Sequence, residues 1–306
     1  MKRILKLVTA AAVALSVLPS IALAQAKFVV GYTNLADTDV FTMSRKNAFI
    51  EAAKADPGVS ISFADAQGDI SKQLDQIDNF IAQKVNAIIV VPVDYQGIVP
   101  GVEKANKAGI PVIALGIESA GGKYTFVGSK NLDAGRMQGE FMKDKLPKGA
   151  KILYLQGQPG LYHSKERLEG FTKALEGRSD VKVLANLPGN YDRAEGMKVT
   201  EDWVQKFPQF DAIIAANDQM ALGALQALKT SNRLKGVMIS GIDGTKDALN
   251  AIKAGEFSQS IFQNAKGQAV GAFEVVEMIK KGQPAPKEKL IPFESIVASN
   301  VDKYMK

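Results

Sequence analysis

The sequence predicts an α/β fold of two doubly wound, parallel-sheet domains, and three features predict it. Short uninterrupted apolar runs, such as Ala-Ile-Ile-Val-Val at 87–91 and Ala-Ile-Ile-Ala-Ala at 212–216, read as strands buried on both faces, the signature of a parallel sheet. These runs alternate with amphipathic segments of about a dozen residues, long enough to be crossover helices. The alternation restarts after residue 127 and repeats, so that the chain holds about ten strands, too many for one compact open sheet of this length.

Residues 1–26 precede that pattern and differ from it. Lys2, Arg3 and Lys6 are followed by an uncharged apolar run over 7–23 and by small residues at Ala22, Ala24 and Ala26. Positive start, apolar centre and small-residue exit predict a secretory signal peptide cleaved after Ala24 or Ala26, and therefore a periplasmic protein. The mature chain then opens with a strand over 27–32 and an amphipathic helix over 40–55, ended by Asp56-Pro57-Gly58. An alternating strand follows at 59–63, a helix at 70–85 and the buried run at 87–91. Next come a helix at 98–108 stopped by Gly109, a strand at 110–115 and a shorter one at 124–127.

The second cycle reads as a helix at 137–145, a strand at 151–155, a helix at 165–175, a strand at 181–184 and a helix at 194–207. The strand at 212–216 runs directly into Asn217-Asp218 and a further helix, with Asp218 placed to cap it. Strands at 236–240 and 258–262, a helix at 265–281 and one extended piece at 290–297 complete the chain.

Composition narrows the function classes. The chain has 306 residues, 46% hydrophobic and 23% charged, which is ordinary globular composition. Three of the six net positive charges lie in the leader, and no basic block interleaved with aromatics is present, so nucleic acid is not an expected partner. Without cysteine and with His163 as the sole histidine, thiol chemistry and histidine metal clusters are excluded. There is no Gly-x-Ser-x-Gly elbow, no phosphate-binding Gly-x-x-x-x-Gly-Lys loop and no Gly-x-Gly-x-x-Gly. No catalytic residue, metal or cofactor is expected, and binding is favoured over turnover.

Ligands of open α/β sheets bind beyond the carboxyl ends of the strands, and here those ends carry polar and aromatic groups. In chain order they are Asp37, Thr38, Asp39 and Phe41, then Gly116, Ile117 and Glu118, then Gly157, His163 and Arg167. Tyr191, Asn217, Asp243 and Gln263 follow. Guanidinium donors, carboxylate acceptors, amides that do both and aromatic faces suit a neutral polyhydroxyl compound. Plainer roles exist for each: a surface ion pair of Arg167 with Glu166 or Glu169, core packing for Phe41 and Tyr191, an Asx turn at Asp243, a hinge position for Gln263. His163, in a Gly/Pro-rich loop, is expected to be solvated.

Gly-Ile-Pro-Val-Ile at 109–113, Glu-Arg-Leu-Glu-Gly-Phe at 166–171, Tyr-Asp-Arg at 191–193, Asn-Asp-Gln-Met-Ala-Leu-Gly-Ala at 217–224 and Gly-Ile-Asp-Gly at 241–244 occur in that order. Together they resemble the periplasmic ribose-binding protein family, the solute receptors of sugar ABC importers, over about 27–297. The resemblance implies two Rossmann-like domains joined by a hinge of three crossing strands: 27–129 plus 264–294, and 130–263 plus 295–306. It also implies closure on a sugar, a membrane permease as partner, a monomeric receptor, and ligand roles for Phe41, Arg167, Tyr191, Asn217, Asp243 and Gln263. A chemoreceptor or sensor kinase reading the closed form is an alternative. A secreted carbohydrate-active enzyme is a remote one.

Two departures from the family pattern argue against ribose. Gly116-Ile117 stands where the family has an Asp-Arg pair, and the first loop is one residue longer, with Val40 in place of a second aromatic and with Asp37 and Asp39 added. A site built on hydroxyl bonds discriminates strongly when a partner is missing. The expected ligand is therefore another pentose, a hexose, a polyol or a cyclitol, with Asp39 or Glu118 supplying the lost acceptor. Asn217 is expected to face the ligand while Asp218 caps the helix behind it.

Overall fold

The computed structural model describes residues 27–305, so the leader over 1–26 lies outside the described residues. The chain begins with β1 (Phe28–Asn34), α1 (Val40–Ala53), β2 (Val59–Asp65), α2 (Ile70–Ala82), β3 (Ala87–Val90), α3 (Val99–Lys107), β4 (Val112–Leu115) and β5 (Thr125–Gly128). It continues through α4 (Asn131–Lys145), β6 (Lys151–Gln156), α5 (Tyr162–Ala174), β7 (Lys182–Pro188), α6 (Arg193–Lys206), β8 (Ala212–Ala215), α7 (Asp218–Thr230), β9 (Met238–Asp243), α8 (Lys246–Lys253) and β10 (Gln259–Phe262). It ends with α9 (Ala265–Lys280), β11 (Glu288–Leu290), β12 (Glu294–Ile296) and a 3-10 turn, Val301–Lys303.

These strands form two six-stranded sheets, ordered β11-β5-β4-β3-β1-β2 and β12-β10-β9-β8-β6-β7. The shared order 2-1-3-4-5 within each half places a switch point between β1 and β3 in one sheet and between β6 and β8 in the other. All pairings in the first sheet are parallel, whereas β12 runs antiparallel to β10 in the second. The apolar runs behave as their sequence requires: every residue of β3, β4 and β8 is buried.

Both faces of the first sheet are covered. Val30, Tyr32 and Ile113 pack with Phe49 of α1 and with Phe273 and Val276 of α9, while Ile88, Val90 and Val112 pack with Ile77 and Phe80 of α2 and Val102 of α3. Thus α9 follows β10 in the chain yet belongs to the first sheet, and the chain passes between sheets after β5, after β10 and between β11 and β12. Helix starts follow side-chain caps: Asp39, Asp69, Asp192, Asn217 and Asn264 each accept a backbone N–H of the helix they open.

Several expectations change. The single extended piece at 290–297 is two short strands in different sheets, and Glu294 already pairs with Phe262 of the second sheet. Helix α4 begins six residues before the expected 137, because its first turns carry Asn131 and Ala134, which are buried by neighbouring elements rather than by a local apolar stripe. Helix α8, too short for its period to stand out, is an addition.

Candidate ligand-binding cleft

A cavity of about 300 Å³ lies where the carboxyl ends of the two sheets face each other, lined from both halves. Asp39, Phe41, Arg167, Tyr191, Asn217, Asp243 and Gln263 all border it. Glu118 does not: it borders a smaller neighbouring cavity of about 130 Å³, together with Tyr162 and Glu166. Of the two acidic residues, Asp39 borders the main cavity and Glu118 does not.

In the first half, the loop after β1 delivers the start of α1. The Asp39 carboxylate caps that helix by accepting Thr42 N–H at 2.7 Å, and Asp37 accepts Lys46 Nζ at 2.5 Å and Asn34 Nδ2 at 2.7 Å. Burial works upward on the Asp37 carboxyl, but the bonds from Lys46 and Asn34 outweigh it and hold the group below its ordinary range. Asp37 therefore secures the loop, while Phe41, at the cavity wall, lies under the Arg45 guanidinium, 5.5 Å from its ring centre.

Arg45 is a cleft residue that sequence reasoning missed. It is 2% exposed, and its Nη1 donates to Gln268 Oε1 at 2.9 Å, with Gln268 in turn donating to Ser129 Oγ at 3.0 Å. Burial pushes its pKa down from the ordinary arginine value, against the pull of the neighbouring Tyr32 and Asp39. The signal was present in part, since Phe41 and Arg45 are four apart on one helix and must share a face.

In the second half, Arg167 projects from α5 and is buried, not a surface ion-pair residue. Nε donates to Asn131 Oδ1 at 3.0 Å, Nη1 to the Ala216 carbonyl at 2.5 Å and Nη2 to Gln263 Oε1 at 3.0 Å. Asn217 rather than Asp218 caps α7, accepting Met220 N–H at 3.0 Å while its Nδ2 donates to the Tyr191 carbonyl at 3.1 Å. Asp218 points inward instead and is fully buried, accepting Thr245 N–H at 2.8 Å and the Ser260 hydroxyl at 2.7 Å. The expected division of roles is thus reversed at the cap, because an Asn side chain just before the first helical residue reaches the free N–H groups and the next residue does not.

Asn190 and Tyr191 have φ of 54° and 62°, and Asp243 has φ of 132°, positions that ordinary side chains rarely adopt. All three border the cavity, so the backbone is held in uncommon geometry where it presents functional groups. Burial raises the Asp243 carboxyl well above the carboxylate range despite the opposing charge of Arg167. Tyr191 lies against Gly157, where a Cβ would stand 2.1 Å from its Cζ, and stacks on His163 with ring centres 5.2 Å apart. His163 is therefore half-buried against the cavity, not solvated; burial, aided by the charges of Arg167 and Arg45, pushes it down to about 3 and keeps it neutral.

The two halves also touch at the rim. Tyr95, after β3, stacks on Tyr162 at the start of α5, with centres 4.1 Å apart and planes 9° apart. Just inside, burial and then the charge of Glu118 lift Glu166 to about 7.

The periplasmic binding protein domain is matched over residues 30–284. A putative rhizopine-binding protein of Rhizobium meliloti is 33% identical over 274 residues, covering 87% of this chain and 89% of that protein. A ribose import binding protein of Bacillus subtilis is 34% identical over 262 residues, covering 85% of this chain and 84% of that protein. Among solved structures, an ABC transporter solute binding protein from Bacillus halodurans with bound myo-inositol superposes with a TM-score of 0.88 at 33% identity, over 92% of this chain and 98% of its own.

Proposed function

The chain belongs to the periplasmic binding protein family, and from that premise we propose that it is the exported solute receptor of an ABC importer, binding a small neutral carbohydrate between its two halves. One observation carries the reading: a single cavity receives donors and acceptors from both sheets, with Asp39 and Arg45 on one side and Arg167, Asn217, Asp243 and Gln263 on the other. Phe41 and the Tyr191–His163 stack supply apolar faces for ring C–H surface. Only the closed arrangement lets both sets touch one ligand, so the ligand's differential affinity drives closure.

The ligand class is a cyclitol, polyol, hexose or pentose other than ribose. Gly116 and Ile117 offer neither a carboxylate nor a guanidinium at those two positions, and the similar Bacillus halodurans protein holds myo-inositol. The domain division near residues 129, 263 and 290–294, cleavage of the leader, periplasmic residence, a monomeric state, a permease partner that reads the closed form and the absence of catalysis belong to the same proposal. A thermal-shift panel of myo-inositol, scyllo-inositol, xylitol, ribose, fructose and allose tests it. A ligand that binds only the folded state raises the midpoint, by about 2.7 kcal/mol of stabilisation at a hundred times its Kd. One or more panel members other than ribose should do so; a flat response across the panel would count against carbohydrate as the class.

A further inference from the structure

We propose that Arg45 is the principal ligand-directed cation of the cleft, donating to a pair of adjacent hydroxyl oxygens of the carbohydrate across space that Gly116 leaves open. The inference rests on the neutral-carbohydrate reading above.

The two cleft arginines differ in how much of their donor capacity the protein uses. A guanidinium carries five N–H groups in one plane. Arg167 spends its Nε, Nη1 and Nη2 on Asn131, Ala216 and Gln263, which fixes its plane and leaves little to offer. Arg45 makes one side-chain bond of full geometry, Nη1 to Gln268; its Nε is sealed from the cavity, with the buried Tyr32 hydroxyl beside the guanidinium, and among the described residues Nη2 and the second Nη1 hydrogen have no acceptor. No carboxylate lies within 4.0 Å of either guanidinium among the described residues. A guanidinium that is 2% exposed with so few acceptors is costly unless something in the adjoining cavity accepts from it.

The surroundings fix where Arg45 points. Its Cζ stands over the Phe41 ring, and Gln268, itself fully buried and bonded to Ser129, holds Nη1. Gly116 lies directly beneath: a Cβ there would stand 1.8 Å from Nη1 and 2.7 Å from Cζ, so any side chain displaces the fork. Gly116 also has φ of 79°, a conformation that glycine adopts without strain. Arg45 and Gly116 both border the cavity, so Gly116 contributes to binding by having no side chain. A planar fork meeting two neighbouring oxygens is the geometry that vicinal hydroxyls present, and a lysine at this position reaches only one.

The test uses the full-length mature chain and the panel member with the largest midpoint shift, with its deoxy analogues, in titration calorimetry. Arg45→Met should bind ~100-fold more weakly, the size of two lost bonds to a charged donor, and Arg45→Lys should recover only part of that. Gly116→Ala should weaken binding with no change in charge. One analogue lacking an adjacent hydroxyl pair should bind the parent protein weakly and Arg45→Met no more weakly than the complete ligand does, a coupling that a purely structural role does not produce. Midpoints without ligand show whether each variant is folded, and Arg45→Lys keeps the test open if Arg45→Met is not. Unchanged affinity in the folded Arg45 variants, or penalties that simply add for every analogue, overturns the role of Arg45 while leaving the receptor reading standing. A parent protein that binds no member of the panel overturns both.

Discussion

Arg167 holds three pieces of the second half at once: Asn131 at the head of α4, Ala216 at the end of β8 and Gln263 after β10. Each is a segment next to the cleft, so the residue ties together one wall of the cavity. Removing it leaves a buried carbonyl and two amide oxygens without donors, and an unsatisfied buried acceptor costs about 1–3 kcal/mol. With three such acceptors, Arg167→Ala should therefore lose about 3 kcal/mol or more of unfolding free energy in urea and at least ~10-fold in ligand affinity by calorimetry. Full affinity in that variant would remove Arg167 from the site. Residues of this kind were legible in the sequence because each follows directly on a buried run or, as with Arg167, the first turns of the next helix. Arg45 was not, since nothing local distinguishes an arginine inside α1 from a solvated one; its role is created by Gly116, 71 positions away in the chain. The expectation for His163 fails for a related reason: a Gly/Pro-rich loop is ordinarily exposed, whereas His163 lies in the first turn of α5 and stacks on Tyr191, a residue distant in the chain.

At the level of elements, the position of Arg167 depends on how closely α4 and α5 approach. Gly135 of α4 faces the Arg167 carbonyl, where a Cβ would stand 1.9 Å away, and Gly170 of α5 faces the Leu132 carbonyl at 2.1 Å. Glycines exchanged in this way let two helix backbones touch, and α6 and α7 repeat the device with Gly196 against Met220 and Gly223 against Arg193. A glycine in the middle of a helix costs about 1 kcal/mol in propensity relative to Ala, a cost that these contacts offset. Gly135→Ala should accordingly lower the thermal midpoint despite its better helix propensity. It should also weaken ligand binding, because the displaced residue is the one that bears the guanidinium. Retained midpoint and affinity would show that the helices have room to part. The strand and helix order was readable from apolar runs and periods because those patterns are local. The six-residue extension of α4 and the splitting of 290–297 between two sheets were not, since both are decided by which distant surface buries the segment.

At the scale of the whole molecule, closure brings together an attractive and a repulsive contact. The Tyr95–Tyr162 stack joins the halves at the rim, and inside it Glu118 of the first half faces Glu166 of the second. With the halves in contact as they are here, burial and then the Glu118 charge lift Glu166 to about 7, with Glu169 adding to the rise and Tyr162 and Arg167 opposing it. Opening the cleft exposes Glu166 and separates it from Glu118, returning it toward the ordinary glutamate value of about 4.3. The closed form thus binds a proton that the open form releases. Well above pH 7 both forms are ionised and closure bears the full like-charge penalty; as pH falls through 7 toward about 5 the closed form takes up the proton and the penalty fades. Ligand affinity, which requires closure, should therefore rise across that window, by no more than about tenfold per pH unit for a single proton. Glu166→Gln removes the titrating charge and should bind at pH 8 as the parent does at acidic pH, with a flatter profile. Asp243 is also raised by burial and borders the cavity, so it contributes its own slope to both proteins, and the difference between their profiles isolates Glu166. Calorimetric titrations of parent and Glu166→Gln from pH 5 to pH 8 decide the matter: parallel profiles would mean that the Glu118–Glu166 contact does not bear on closure.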